Sequence, residues 1–195
     1  FTLTPGKPQK VRFTITGVQS LPDGESRVVL FLEDKAVKQQ AMPSKGEFAA
    51  YINVKTRVAV KIYLDKGNVN KTGKIESLSL EPSNNSIFYK LKVKSEGNSR
   101  ITLAGKGYIS TPEGELVREF PIIGKSFTNG TQGVLSDKLP LEDLDLSKSY
   151  KLKIVLIYND IEQKPQTLIE ETELRPNEIL TSEENKNKLG SKPSI

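Results

Sequence analysis

The chain has 195 residues, 35% of them hydrophobic and 27% charged, with a formal net charge of +5 and neither cysteine nor histidine. That length allows one large or two small domains. Lacking cysteine, it has no disulfides or thiolate nucleophiles, and lacking histidine it has no general base of the commonest kind, so neither an enzyme nor a cofactor is expected.

Helical spacing is nearly absent, and glycine, proline, asparagine and aspartate recur at short intervals, which points to an all-β chain. A first strand at 1–3 ends at the turn Pro5-Gly6, and a second follows at 11–15. Leu21-Pro22-Asp23-Gly24 reads as a turn, 28–32 as an apolar strand, and 35–45 as a polar loop.

The run from Glu47 to Asp65 carries the most information. Its even positions Phe48, Ala50, Ile52, Val54, Val58, Val60, Ile62 and Leu64 are all apolar, and only Thr56 breaks the series. A period of two predicts one long strand with one apolar face, spanning roughly 55–60 Å against a usual length of about five or six residues. A small sandwich cannot shelter such a strand along its whole length. Either it runs between domains, or part of its face is left for a partner. For 58–64 the leading reading is ordinary core; for 48–54 core and partner binding stand side by side.

Asp65-Lys66-Gly67 is the expected linker. Strands are then predicted near 75–80, 87–93, 101–110, 115–123, 134–139, 149–158 and 167–174, with Thr111-Pro112-Glu113-Gly114 as a hairpin turn. That many strands in about 105 residues fits one complete immunoglobulin-like sandwich. Tyr150, at the start of Leu152-Lys153-Ile154-Val155-Leu156, reads either as a corner tyrosine tying a loop to backbone or as a plain core residue. Beyond Arg175-Pro176 the composition turns polar, and a disordered tail is expected over 176–195, with one helical turn near 177–180.

The front segment, 1–66, holds about four strands, too few to close a sandwich. Its missing strands are expected to precede Phe1 or to come from another chain, and a chain opening on strand without a signal peptide reads as an internal piece or processed product. The predicted fold is therefore all-β, with two immunoglobulin-like β-sandwich domains. The first, over 1–66, is incomplete, the second covers 67–175, and the tail follows.

The positive charge is spread over alternating strand positions such as Lys90, Lys92, Lys94, Lys151 and Lys153, which fits solvated sheet faces better than nucleic-acid binding. No stretch approaches the roughly 20 apolar residues of a membrane span. Glu142, Asp143 and Asp145 form an acidic loop without the glycine and spacing of a calcium loop, so no metal site is expected. Three Asn-X-Ser/Thr matches, at Asn70, Asn84 and Asn129, are unremarkable in a chain this rich in asparagine. Gly105-Lys106-Gly107 lies within a strand and lacks the helix that a phosphate loop requires.

Three signatures in order carry a family resemblance: Phe1-Thr2-Leu3-Thr4-Pro5-Gly6-Lys7-Pro8-Gln9-Lys10-Val11-Arg12, then Leu21-Pro22-Asp23-Gly24-Glu25-Ser26-Arg27-Val28-Val29-Leu30-Phe31-Leu32, then the long strand with Arg57 at its centre. With Val93-Lys94-Ser95-Glu96-Gly97-Asn98 in the second half, they resemble the PapD-like periplasmic pilus-assembly chaperones. The chain departs from that family in lacking the first strands and their cleft arginine. It has Asp23-Gly24-Glu25-Ser26 where Asp-Arg-Glu-Ser is usual, and no Ile-Pro-Pro near 35–42.

The resemblance implies two immunoglobulin-like domains in an L shape, a periplasmic location and no enzymatic activity. It implies pilin-like or other secreted fibre subunits as clients, and an outer-membrane usher as a further partner. Clients would be bound by donor-strand complementation, with Phe48, Ala50, Ile52 and Val54 filling a client groove. Arg57, with Lys55 beside it, would anchor the client's terminal carboxylate. The competing expectation is a secreted structural or adhesive module with no client.

Overall fold

The computed structural model describes residues 6–8, 10–35, 38–42, 50–83, 85–142 and 144–181, without side chains at 38–42 and 50. Strand dominates, and all pairing is antiparallel. No helix among the described residues is long and apolar enough to cross a membrane. The chain divides into two compact units, Phe1–Gly67 and Asn68–Ile195.

The first unit is built from strands β1 (Gly24–Glu33), β2 (Lys38–Met42), β3 (Ala50–Val54) and β4 (Arg57–Lys66). β1 pairs with β4 from Gly24↔Lys66 to Glu33↔Arg57, and β2 pairs with β3 from Lys38↔Val54 to Met42↔Ala50. The expected single long strand is thus two strands, interrupted at Lys55 and Thr56, where the alternation itself fails. The described pairing stops at Glu33↔Arg57 on one side and resumes at Lys38↔Val54 on the other, and between them Asp34 N–H donates to Thr56 O (2.9 Å).

Two further expectations change. The polar segment 35–45 contains β2, because its backbone pairs with β3 whatever its side chains. Residues 11–15 form no strand and pair with none of the described residues, and Val11, Phe13 and Ile15 lie exposed. The expected strand at 1–3 lies outside the described residues.

The second unit packs two sheets around one core. One is ordered β5-β6-β9, the other β11-β10-β7-β8, with β5 (Gly73–Ser83), β6 (Ser86–Ser95), β7 (Ile101–Ser110), β8 (Leu116–Phe127), β9 (Gln132–Lys138), β10 (Tyr150–Asn159) and β11 (Pro165–Leu174). Alternation explains the layering: Ile87, Tyr89, Leu91 and Val93 of β6 face Leu152, Ile154 and Leu156 of β10, all buried. Bulges shift this pattern where the spacing is odd. In β5 the partly buried Ile75 and Leu78 are three apart, and the ladder skips between Ile75 and Ser77. In β8 the buried Ile122 and Phe127 are five apart, and Leu103↔Lys125 and Gly105↔Ile122 leave two residues unmatched against Ala104.

Loops are tied down locally. Tyr150 is buried, and its hydroxyl accepts from Asp145 N–H (3.0 Å) and donates to Asp145 O (3.2 Å), a loop-to-backbone tie at the start of β10. The Thr111–Gly114 turn closes through Thr111 N–H to Glu115 O (2.8 Å), with Gly114 at φ 98°. Gly107 is required by packing: a Cβ there would lie 2.1 Å from Cζ of Phe120, whose ring covers it. Past β11 the helical turn expected near 177–180 is present over 176–181, and here the chain is ordered and not disordered, with Pro176 fully buried and Ile179 and Leu180 packed on the core. The rest of the tail lies outside the described residues.

Candidate strand-binding face

The β1–β4 ribbon has two unlike faces. Residues opposite each other in an antiparallel pair share a face. Ser26↔Leu64, Val28↔Ile62, Leu30↔Val60 and Leu32↔Val58 therefore place seven aliphatic side chains together. Among the described residues nothing covers them fully: Val28 is 53% exposed, Val58 51% and Val60 41%, with Leu30, Leu32, Ile62 and Leu64 half-buried. The expectation that 58–64 is core is corrected here. Core needs a second layer about 10 Å away, and the described residues of this unit supply none; Gly24 is their only buried residue.

The other face carries the charges. Glu33 takes one cation on each carboxylate oxygen, Lys55 Nζ on Oε2 at 2.8 Å and Arg57 Nε on Oε1 at 3.0 Å. Arg57 also stacks on the Phe31 ring, its Cζ 3.7 Å from the centroid. The Lys55 hydrogen bond and charge, followed by the Arg57 charge, hold the Glu33 carboxyl below its ordinary range. At the far end of the ribbon Lys66 Nζ donates to Gln19 O (2.9 Å) and Leu21 O (2.6 Å), fastening the single 3₁₀ turn Val18–Ser20 to β4.

The sequence-predicted residues fall into three groups. Lys55 and Arg57 are brought together, through Glu33, which sequence reasoning missed; its signal was an acid closing an apolar strand, legible only once the register was known. Ile52 and Val54 lie on β3 opposite Gln40 and Lys38, 44% and 41% exposed, and Ala50 stands opposite Met42. Phe48 lies outside the described residues. The β1 residues Val28, Leu30 and Leu32 were also missed as part of a binding face, because a strand read alone does not announce its neighbour.

Chemically, this ribbon offers aliphatic side chains for burial and a strand edge for main-chain pairing. β1 and β4 pair only with each other among the described residues, which leaves the outer edge of each open. Finishing the burial of seven half-exposed aliphatics is worth roughly 1 kcal/mol each, a gross gain of about 7 kcal/mol. That gain is of the same order as the cost of holding two molecules together. In the acidic loop Asp145 Oδ1 accepts from Ser147 N–H (3.1 Å) and Oγ (2.7 Å), Asp143 lies outside the described residues, and no metal-holding cluster is found among those described.

Comparison with known proteins identifies no relative: no protein-family model matches the chain, and no curated protein matches it.

Proposed function

We propose that the chain is a non-enzymatic binding protein that shelters an unfinished β-structured partner, in the manner of the periplasmic chaperones of surface-fibre subunits. The observation that carries this reading is the exposed face of Val28, Leu30, Leu32, Val58, Val60, Ile62 and Leu64 on a ribbon with open edges. A free face and a free edge together suit donor-strand complementation, in which main-chain pairing supplies affinity and alternate side chains supply specificity. The cations Lys55 and Arg57 lie on the opposite face, at the Glu33 end of the ribbon, and would receive the terminal carboxylate of a strand added along its edge, displacing Glu33. The second unit supports an immunoglobulin-like reading through its β5-β6-β9 and β11-β10-β7-β8 sheets and the Tyr150 tie, and would act as a rigid support.

The test is calorimetric titration of the full chain with a peptide of alternating apolar residues, carrying either a free or an amidated C-terminus. The free acid should bind more tightly, Val60→Asp should weaken both peptides by at least about tenfold, and Arg57→Ala should erase the difference between them. If neither peptide binds, or if both variants bind as the parent does, the reading is wrong.

A further inference from the structure

The two sheets of the second unit meet differently on their two sides. On one, β11 lies against β5. On the other, β8 and β9 are consecutive strands joined through a turn in which Thr131 N–H donates to Thr128 O (3.1 Å), yet they belong to different sheets and are not paired. A cleft of about 230 Å³ lies there, lined by Tyr89, Lys125, Val134, Leu135, Ser136 and Asp137 among others. Tyr89 is 2% exposed, its ring buried and stacked at a tilt on Phe120 (6.0 Å between centroids), and the one sealed side-chain oxygen without a partner among the described residues is Ser95 Oγ, not the Tyr89 hydroxyl.

The β8 edge is blunted by Pro121, which has no N–H, and by the bulge at Ile123 and Gly124. The β9 edge has neither device. Just past β9, Leu139 N–H donates to Ile87 O (2.8 Å), so odd positions of the strand turn their backbone toward β6. Val134 O instead accepts from Lys125 Nζ (2.9 Å), on the cleft side. By antiparallel alternation, Val134, Ser136 and Lys138 then direct their backbone groups outward. The charge around this edge is lopsided. Lys92 and Lys138 are exposed and have no ion pair among the described residues, and Lys125 meets only a carbonyl and, at 5.9 Å, the Phe127 ring. The acids at the edge are Asp137, which accepts Lys138 N–H (2.8 Å), and, at its Gln132 end, Glu76, whose carboxylate accepts from Gln132 Nε2 (3.1 Å).

We propose that β9 is a binding edge for an extended, acidic segment of a partner protein. The segment adds as a strand beside Gln132–Lys138, sets one apolar side chain into the cleft against Tyr89, and turns alternate carboxylates toward Lys92 and Lys138. This site is independent of the face on the first unit.

The experiment uses the full chain and two fluorescein-labelled peptides of about nine residues, one alternating valine with glutamate and one alternating valine with lysine. The acidic peptide should bind at least about tenfold more tightly, lose affinity with added salt, and slow amide exchange at Val134 and Ser136. Ser136→Pro removes one outward N–H and should abolish binding, while Lys92→Glu combined with Lys138→Glu should weaken the acidic peptide at least about tenfold with the fold intact. If Ser136→Pro does not fold, the exchange map and the double lysine variant decide. Absence of binding, equal binding of the two peptides, or protection appearing on Arg57–Lys66 would overturn the proposal. So would a concentration-dependent dimer of the chain that occupies β9.

Discussion

The Tyr150 hydroxyl is the sharpest place to test how the second unit is held. It closes a two-bond clasp on one residue, accepting from Asp145 N–H at 3.0 Å and donating to Asp145 O at 3.2 Å, while its ring is buried among core residues. Tyr150→Phe keeps the ring and deletes both bonds. A neutral hydrogen bond contributes about 1 kcal/mol net, and here two partly buried backbone groups lose their partner together, so the loss should be about 2 kcal/mol. For a unit of this size each kcal/mol shifts the melting temperature by about 4 °C, giving a fall of about 8 °C. Differential scanning calorimetry of parent and variant reads this directly. The Asp145–Ser147 bonds are left in place, so an effect confined to the clasp should leave far-UV circular dichroism unchanged. A shift below about 2 °C would refute the argument, because it would mean that water replaces the clasp at no cost.

Gly107→Val should cost about 3 kcal/mol in urea denaturation, because the new side chain meets the Cζ end of the Phe120 ring and that residue is 8% exposed. Adding Phe120→Ala should recover part of the loss; no recovery would show that backbone strain, not overpacking, is responsible. The Tyr89 phenol is pushed up to about 12, mainly by burial and further by the nearby Asp137 carboxylate. An unfolded tyrosine ionises near pH 10, so the fold favours the neutral phenol. Its contribution is complete below about pH 10 and is lost as the pH rises through about 12. Melting curves across that window should fall more steeply for the parent than for Tyr89→Phe, and matching slopes would exclude this origin.

Much of the second unit was legible from residue order. The seven strands appear where alternation and turn residues put them, and the tyrosine tie is of the kind that a Tyr before Leu152-Lys153-Ile154 allows. The bulges in β5 and β8 were not read, although the odd spacings Ile75 to Leu78 and Ile122 to Phe127 carry their signal. In the first unit periodicity was misleading in a specific way. A period of two reports that one face is apolar, and says nothing about what covers it or whether a ladder continues. The break at Lys55 and Thr56 separates two ladders, one with β1 and one with β2, so it belongs to the pairing and not to either strand read alone.

Local order alone therefore determined the strand character of this chain, its main turns and the apolar stripe from Val58 to Leu64, because backbone geometry ties side-chain direction to position within a few residues. Which residues became core was decided only in three dimensions. Val93 and Leu152 are sealed because a second sheet lies across from them, whereas Val28 and Val58, of the same chemical kind, stay wet. Burial is a property of two surfaces, and contacts between segments far apart along the chain exist only once both have folded.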